Sequence, residues 1–159
     1  MSEKNNFHEL LLKAERFCAY QERCSYEVKQ KLKELSADEN ETEKIIASLQ
    51  EDDYQNDERF AILFTSGKFR IKRWGKNKIR AELRMRKIPD ALIKKGLDAI
   101  NEADYLKTLQ ELANKKERET KSKDKKSKKQ KIVMFLLSKG YESELIWKIL
   151  KVDSSFHSE

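Results

Sequence analysis

Glycine and proline are nearly missing from this chain, with four glycines and one proline in 159 residues. Hairpins, barrels and sandwiches need such residues at their turns, so the scarcity argues against them, and the dominance of Lys, Glu, Leu and Arg predicts an all-α fold. Cysteine and histidine are as rare. Cys18 and Cys24 stand apart from His8 and His157, which lie near opposite ends, so the sequence holds no zinc ligand set. Both cysteines read as reduced thiols, Cys18 in the core. Long apolar runs are absent too. The longest, residues 132–137, is far shorter than the roughly 20 residues needed to cross a bilayer. The polar, acidic first twelve residues lack the basic-then-apolar layout of a secretory leader. A cytoplasmic protein without membrane contact is expected. There is no glycine-rich phosphate loop, no His-Glu-x-x-His and no nucleophile set between glycines. Neither enzymatic activity nor a cofactor is expected.

What the chain does contain is a pattern written three times. Val28/Leu32, Ile79/Leu83 and Ile132/Leu136 are apolar pairs four apart, answered downstream by Ile45/Leu49, Ile93/Leu97 and Ile146/Leu150. The copies begin about 50 residues apart, the scale at which helical repeats stack. A 38% hydrophobic fraction beside 40% charged residues is lean for one compact core. The expected architecture is therefore three tandem three-helix, helix-turn-helix-like repeats in an elongated, curved array: residues 7–54, 55–101 and 102–152, with 153–159 as a frayed tail.

Within the first repeat, Leu10, Leu11, Ala14, Phe17 and Cys18 predict a helix over 7–22. Ser25 is read as the cap of a second helix over 26–35, and Ile45, Ile46 and Leu49 mark a third. The second repeat opens at Asn56-Asp57, with Phe60, Ala61, Phe64 and Ile71 on one helix. Gly75 or Asn77 starts its middle helix, and Pro89 sits in the first turn of the next. In the third repeat Tyr105, Leu106, Leu109, Leu112 and Ala113 share a face, and Gly140 ends the middle helix. Residues 115–131 contain no apolar side chain, so they form either the solvated ends of two helices or a flexible loop.

Positive charge is concentrated. Residues 68–87 hold ten bases against one acid, Glu82, and residues 115–131 hold ten bases against three acids, whereas residues 1–67 carry more acids than bases. Lys76, Arg80, Arg84 and Lys87 fall at i, i+4, i+8 and i+11, one face of a helix whose Ile79 and Leu83 lie about 100° away. Lys68, Arg70, Lys72 and Arg73 precede them, and Trp74 offers a flat apolar surface among the charges. A solvated charged face is the plain alternative. The bias toward arginine favours docking instead, because a guanidinium fork fits phosphates and carboxylates alike. Read as a helix-turn-helix, the repeat would present residues 89–100 to bases, but that segment offers only Lys94 and Lys95, so sequence-specific reading of DNA is not expected.

The blocks Tyr54-Gln55-Asn56-Asp57-Glu58-Arg59-Phe60-Ala61, Trp74-Gly75-Lys76-Asn77-Lys78-Ile79-Arg80-Ala81-Glu82-Leu83-Arg84 and Lys87-Ile88-Pro89 resemble the RecX family of recombinase regulators. Ser25, Glu27, Val28, Lys31 and Leu32 fit that family's first-repeat segment, and Gly140-Tyr141 its third-repeat turn, so the resemblance covers roughly residues 10–151. Gln21-Glu22 depart from it, standing where many members carry arginine. The resemblance implies a protein of tandem three-helix repeats that binds the RecA recombinase filament, touches single- or double-stranded DNA within it without sequence preference, and inhibits ATP hydrolysis and strand exchange during DNA repair and recombination; a monomer is expected. A stand-alone nucleic-acid-binding module and a helical adaptor without nucleic-acid contact are the other readings the residues allow.

Overall fold

The structure is a computed structural model that describes the backbone of residues 2–157 and the side chains of residues 6–151. Among the described residues it contains nine helices and no strand: α1 (Ser2–Tyr20), α2 (Ser25–Glu34), α3 (Glu39–Glu51), α4 (Asp57–Lys72), α5 (Lys76–Met85), α6 (Asp90–Asp98), α7 (Glu102–Glu119), α8 (Lys125–Ser138) and α9 (Ser143–His157). The three-by-three order is as the apolar pairs require. The 115–131 stretch resolves into helix ends, with α7 running to Glu119 and α8 starting at Lys125. α9 continues to His157, past the point where a tail was expected, since neither glycine nor proline interrupts it.

All three middle helices stop in the same way. In α2, α5 and α8 a left-handed residue follows four positions after the buried leucine: Ser36 (φ 65°), Lys87 (φ 59°) and Gly140 (φ 99°). The next N–H then closes back onto that leucine's carbonyl, Ala37 to Leu32 at 3.0 Å, Ile88 to Leu83 at 3.1 Å and Tyr141 to Leu136 at 3.2 Å. This is the Schellman arrangement, which satisfies orphan carbonyls and turns the chain sharply. It repeats in three dimensions what the apolar pairs repeat in sequence.

The chain forms two compact units whose borders run through the middle repeat. The first comprises residues up to Phe64 together with Leu83–Lys95; the second comprises Thr65–Glu82 and the chain from Gly96 onward.

In the first unit α1, α2 and α3 pack on one another around Leu10, Ala14, Cys18, Val28, Leu32, Ile45, Ile46 and Leu49. Cys24, not Ser25, is the N-cap of α2, and the Glu27 carboxylate accepts from the Cys24 N–H at 3.2 Å. Ser25 is released for another partner: its N–H and hydroxyl donate to the Asp57 carboxylate at 2.8 and 2.9 Å. Buried Gln55 joins them, donating to Asp57 at 2.8 Å and accepting from Gln50 at 2.9 Å. Arg59 reaches Glu22 at 2.9 Å and Asp53 at 3.0 Å. Asn56 caps α4 through the Arg59 N–H. The Gln55-to-Arg59 block is thus a polar lock between the start of α4 and the α1–α2 turn. Pro89 lies just before α6, its carbonyl accepting from Ile93, so it is the cap residue and not part of the first turn.

In the second unit the α4–α5 connection meets the α8–α9 turn backbone to backbone. The Gly75 N–H donates to the Lys139 carbonyl at 2.8 Å, and the Asn77 N–H to Gly140 at 2.9 Å. A Cβ on Gly75 would stand 2.4 Å from the Gly140 carbonyl carbon. Only glycine allows that approach. Buried Tyr105 fills the space beneath: its hydroxyl accepts from the Lys76 N–H at 2.9 Å and donates to Glu142, while its ring lies against Phe69 and Tyr141. The Tyr141 hydroxyl in turn donates to the Arg73 carbonyl at 2.9 Å.

Candidate functional site

The predicted basic residues follow from how α4 and α5 are buried. Along α4 the buried stripe turns, from Phe60 and Ala61 to Thr65 and Phe69. Ile71 lies on the same helix as Phe60. It is 77% exposed, because the far end of α4 buries the Phe69 side. Arg70 and Lys72 are exposed beside it, and Arg73 takes a left-handed conformation (φ 57°) with its guanidinium 3.7 Å from Glu111.

α5 begins at Lys76, with Gly75 as its cap, and buries Ile79 and Leu83 completely. The expected four-residue face is shorter in fact. Lys76 is drawn into the second unit: its side chain is 20% exposed, its ammonium 3.2 Å from Glu102 and 4.7 Å above the Tyr105 ring. Lys87 lies beyond the helix end in the left-handed turn, so the i+11 register does not apply to it. What remains on the helix is Arg80 and exposed Arg84, one turn apart. Arg80 donates to the Asn77 side chain at 2.8 Å, and Arg84 lies 3.3 Å from Asp90. Such exposed pairs hold a side chain loosely and exchange readily for a partner's anion. Trp74 is half-buried, with the ammoniums of Lys68 and Lys78 5.0 and 4.6 Å from its ring centroid. Its indole is therefore a cation-flanked surface and not an open platform.

One grouping went unread in the sequence. Lys72 and Arg73 at the end of α4, Lys115 and Lys116 on α7 and Lys139 after α8 converge on a cleft of about 610 Å³ inside the second unit. The signal was available, since Lys115 and Lys116 follow Leu112 by one helical turn and continue α7. Lys139, however, joins only through the fold.

Neither cysteine takes part. Burial pushes the Cys18 thiol up to about 11 and Cys24 up to about 12, so both remain protonated and unreactive near neutral pH. Among the described residues no His, Cys, Asp and Glu cluster could hold a metal, and no helix is long and apolar enough to cross a membrane.

Fold and surface together define an all-helical protein of tandem three-helix domains with a basic surface. The family models for the second and third three-helix domains of RecX match residues 56–97 and 102–150. The chain belongs to the RecX family of regulatory proteins. It is 33% identical to the regulatory protein RecX of Acinetobacter baylyi over 124 residues, covering 78% of this chain and 75% of that protein. To the Clostridium acetobutylicum RecX it is 34% identical over 132 residues, 79% of this chain, but spans only 59% of that relative's length. The crystal structure of RecX from Lactobacillus salivarius superposes with a TM-score of 0.84 at 24% identity, covering 93% of this chain and 96% of that one, and so shares the fold.

Proposed function

We propose that the chain docks on the RecA recombinase filament and inhibits its ATP hydrolysis and strand exchange, restraining recombination and DNA repair. Family membership supports a regulatory role, and the observation that carries the docking reading is the arginine face of α5. Arg80 and Arg84 stand one turn apart on a helix fixed by fully buried Ile79 and Leu83, so the two positions that carry guanidinium forks keep a constant spacing while the forks themselves can reorient onto a partner. A filament repeats its own carboxylates and DNA phosphates, and such forks suit both. Lys68, Arg70, Lys72, Arg73, Trp74, Lys76 and Lys87 extend the proposed surface around this pair.

The test is the ATPase rate of the recombinase on single-stranded DNA during titration with this protein. Inhibition well below stoichiometric protein is expected. Arg80→Glu with Arg84→Glu should abolish it while leaving the helical circular-dichroism signal and melting unchanged. No inhibition by the unaltered chain would refute the proposal.

A further inference from the structure

The second unit carries a basic cleft whose charge is not explained by the arginine face of α5. Lys72, Arg73, Lys115, Lys116 and Lys139 line it against one carboxylate, Glu119. These five groups come from three separate parts of the chain, so their convergence is a product of folding and not of one lysine-rich helix face. Glu119 lies 4.0 Å from Lys115, and Arg73 lies 3.7 Å from Glu111, so the cleft remains strongly positive after both pairs are counted. An aromatic side chain lies among the charges. The ammoniums of Lys116 and Lys139 stand 4.9 and 5.9 Å from the centroid of the Phe135 ring, and Ile71 lines the same cleft.

The cleft does not stop there. A neighbouring one of about 730 Å³ shares Lys116, Glu119 and Phe135 and adds Lys121, Lys131 and exposed Met134. The two form a continuous track between α7 and α8, basic along its length, with apolar side chains set into it. A point anion would need one pocket; a track suits a polymer with regularly spaced negative charges.

We propose that this track binds the backbone of single-stranded nucleic acid directly, with no recombinase present. Lysine ammoniums are compact charges that accept phosphates in any orientation, and this composition gives affinity without sequence reading. Exposed Ile71 and Met134 give unpaired bases apolar surfaces to rest on, while Phe135 lies beneath the ammoniums of Lys116 and Lys139; apolar contact beside backbone charge is the combination by which single strands are held. A duplex keeps its bases stacked inward and cannot use them. An acidic protein surface would gain from the lysines but would leave the apolar side chains unmatched.

The experiment is fluorescence anisotropy of a labelled oligothymidylate titrated with the full chain across a salt series. With five basic groups engaged, the log–log salt slope should be roughly −3 to −4, since each phosphate contact on a single strand contributes about −0.7. Lys116→Glu with Lys139→Glu should flatten that slope by about one to two and weaken binding about tenfold or more at moderate salt, with melting unchanged. Ile71→Ser, at an exposed position, should weaken the single strand and not the duplex. An unchanged slope in the double variant would overturn the proposal. So would a duplex bound as tightly as the single strand, or polyglutamate competing as well as the oligonucleotide. The strand is naked, so these outcomes are independent of the ATPase result, and either proposal can fail alone.

Discussion

α2 and α5 occupy the same place in successive repeats and show what the repeat holds constant. Each is a ten-residue helix, each buries an apolar pair completely, Val28/Leu32 or Ile79/Leu83, and each ends in a left-handed residue, Ser36 or Lys87. Their openings differ. α2 is capped at Cys24 with Glu27 in its first turn; α5 has no acid there, and its first amides are taken by the Tyr105 hydroxyl and the Gly140 carbonyl. Their exposed faces differ as well, Lys29 and Lys33 among acids on α2, Arg80 and Arg84 on α5. The interior of the repeat is preserved while the cap and the exposed face are free to specialise.

That comparison can be broken at its core. Leu32→Ala and Leu83→Ala should each cost about 2–5 kcal/mol in urea unfolding, and costs that differ several-fold would show the two interiors are not equivalent. Gly75→Ala probes the opening: the added methyl would collide with the Gly140 backbone and destabilise by about 1–3 kcal/mol. Cys24→Ala at the matching position should cost less, because the Cys24 N–H to Glu27 bond survives the change.

Surface charge sharpens the contrast without touching stability. Lys29→Glu with Lys33→Glu should leave recombinase inhibition near the unaltered level and shift unfolding by less than about 0.5 kcal/mol. The same reversal at Arg80 and Arg84 should abolish inhibition with as little effect on folding. Equal losses from both pairs would mean that net charge, not the α5 face, controls docking. The smallest effect belongs to the turns. Ser36→Gly should raise the free energy of urea unfolding by about 1 kcal/mol or less, since glycine carries no Cβ penalty in the left-handed region.

The all-α class and the three helical triplets were legible because the apolar pairs state them directly, and Ile45/Leu49 and Ile146/Leu150 bury as their spacing demands. Ser25 and Ile71 were not. Ser25 has a capping side chain, but its partner Asp57 lies 32 residues away; Ile71 has the right helical phase, but the buried stripe of α4 turns before reaching it. Lys87 was misplaced for a local reason, a helix that ends two residues sooner than its charge spacing continues. The basic cleft was half legible, as charge without convergence, since no local pattern brings Lys139 to Lys72.

The polar lock bears on where this protein can be cut. α3 ends at Glu51, so the first triplet invites truncation near Tyr54. Such a fragment would lack Gln55, Asp57 and Arg59, leaving the Ser25 amide and the Glu22 carboxylate without their acceptor and donor. An autonomous piece of the amino-terminal end therefore includes at least the opening turns of α4, and because Leu83–Lys95 belong to the same compact unit, a gene fragment meant to express it should extend past Lys95.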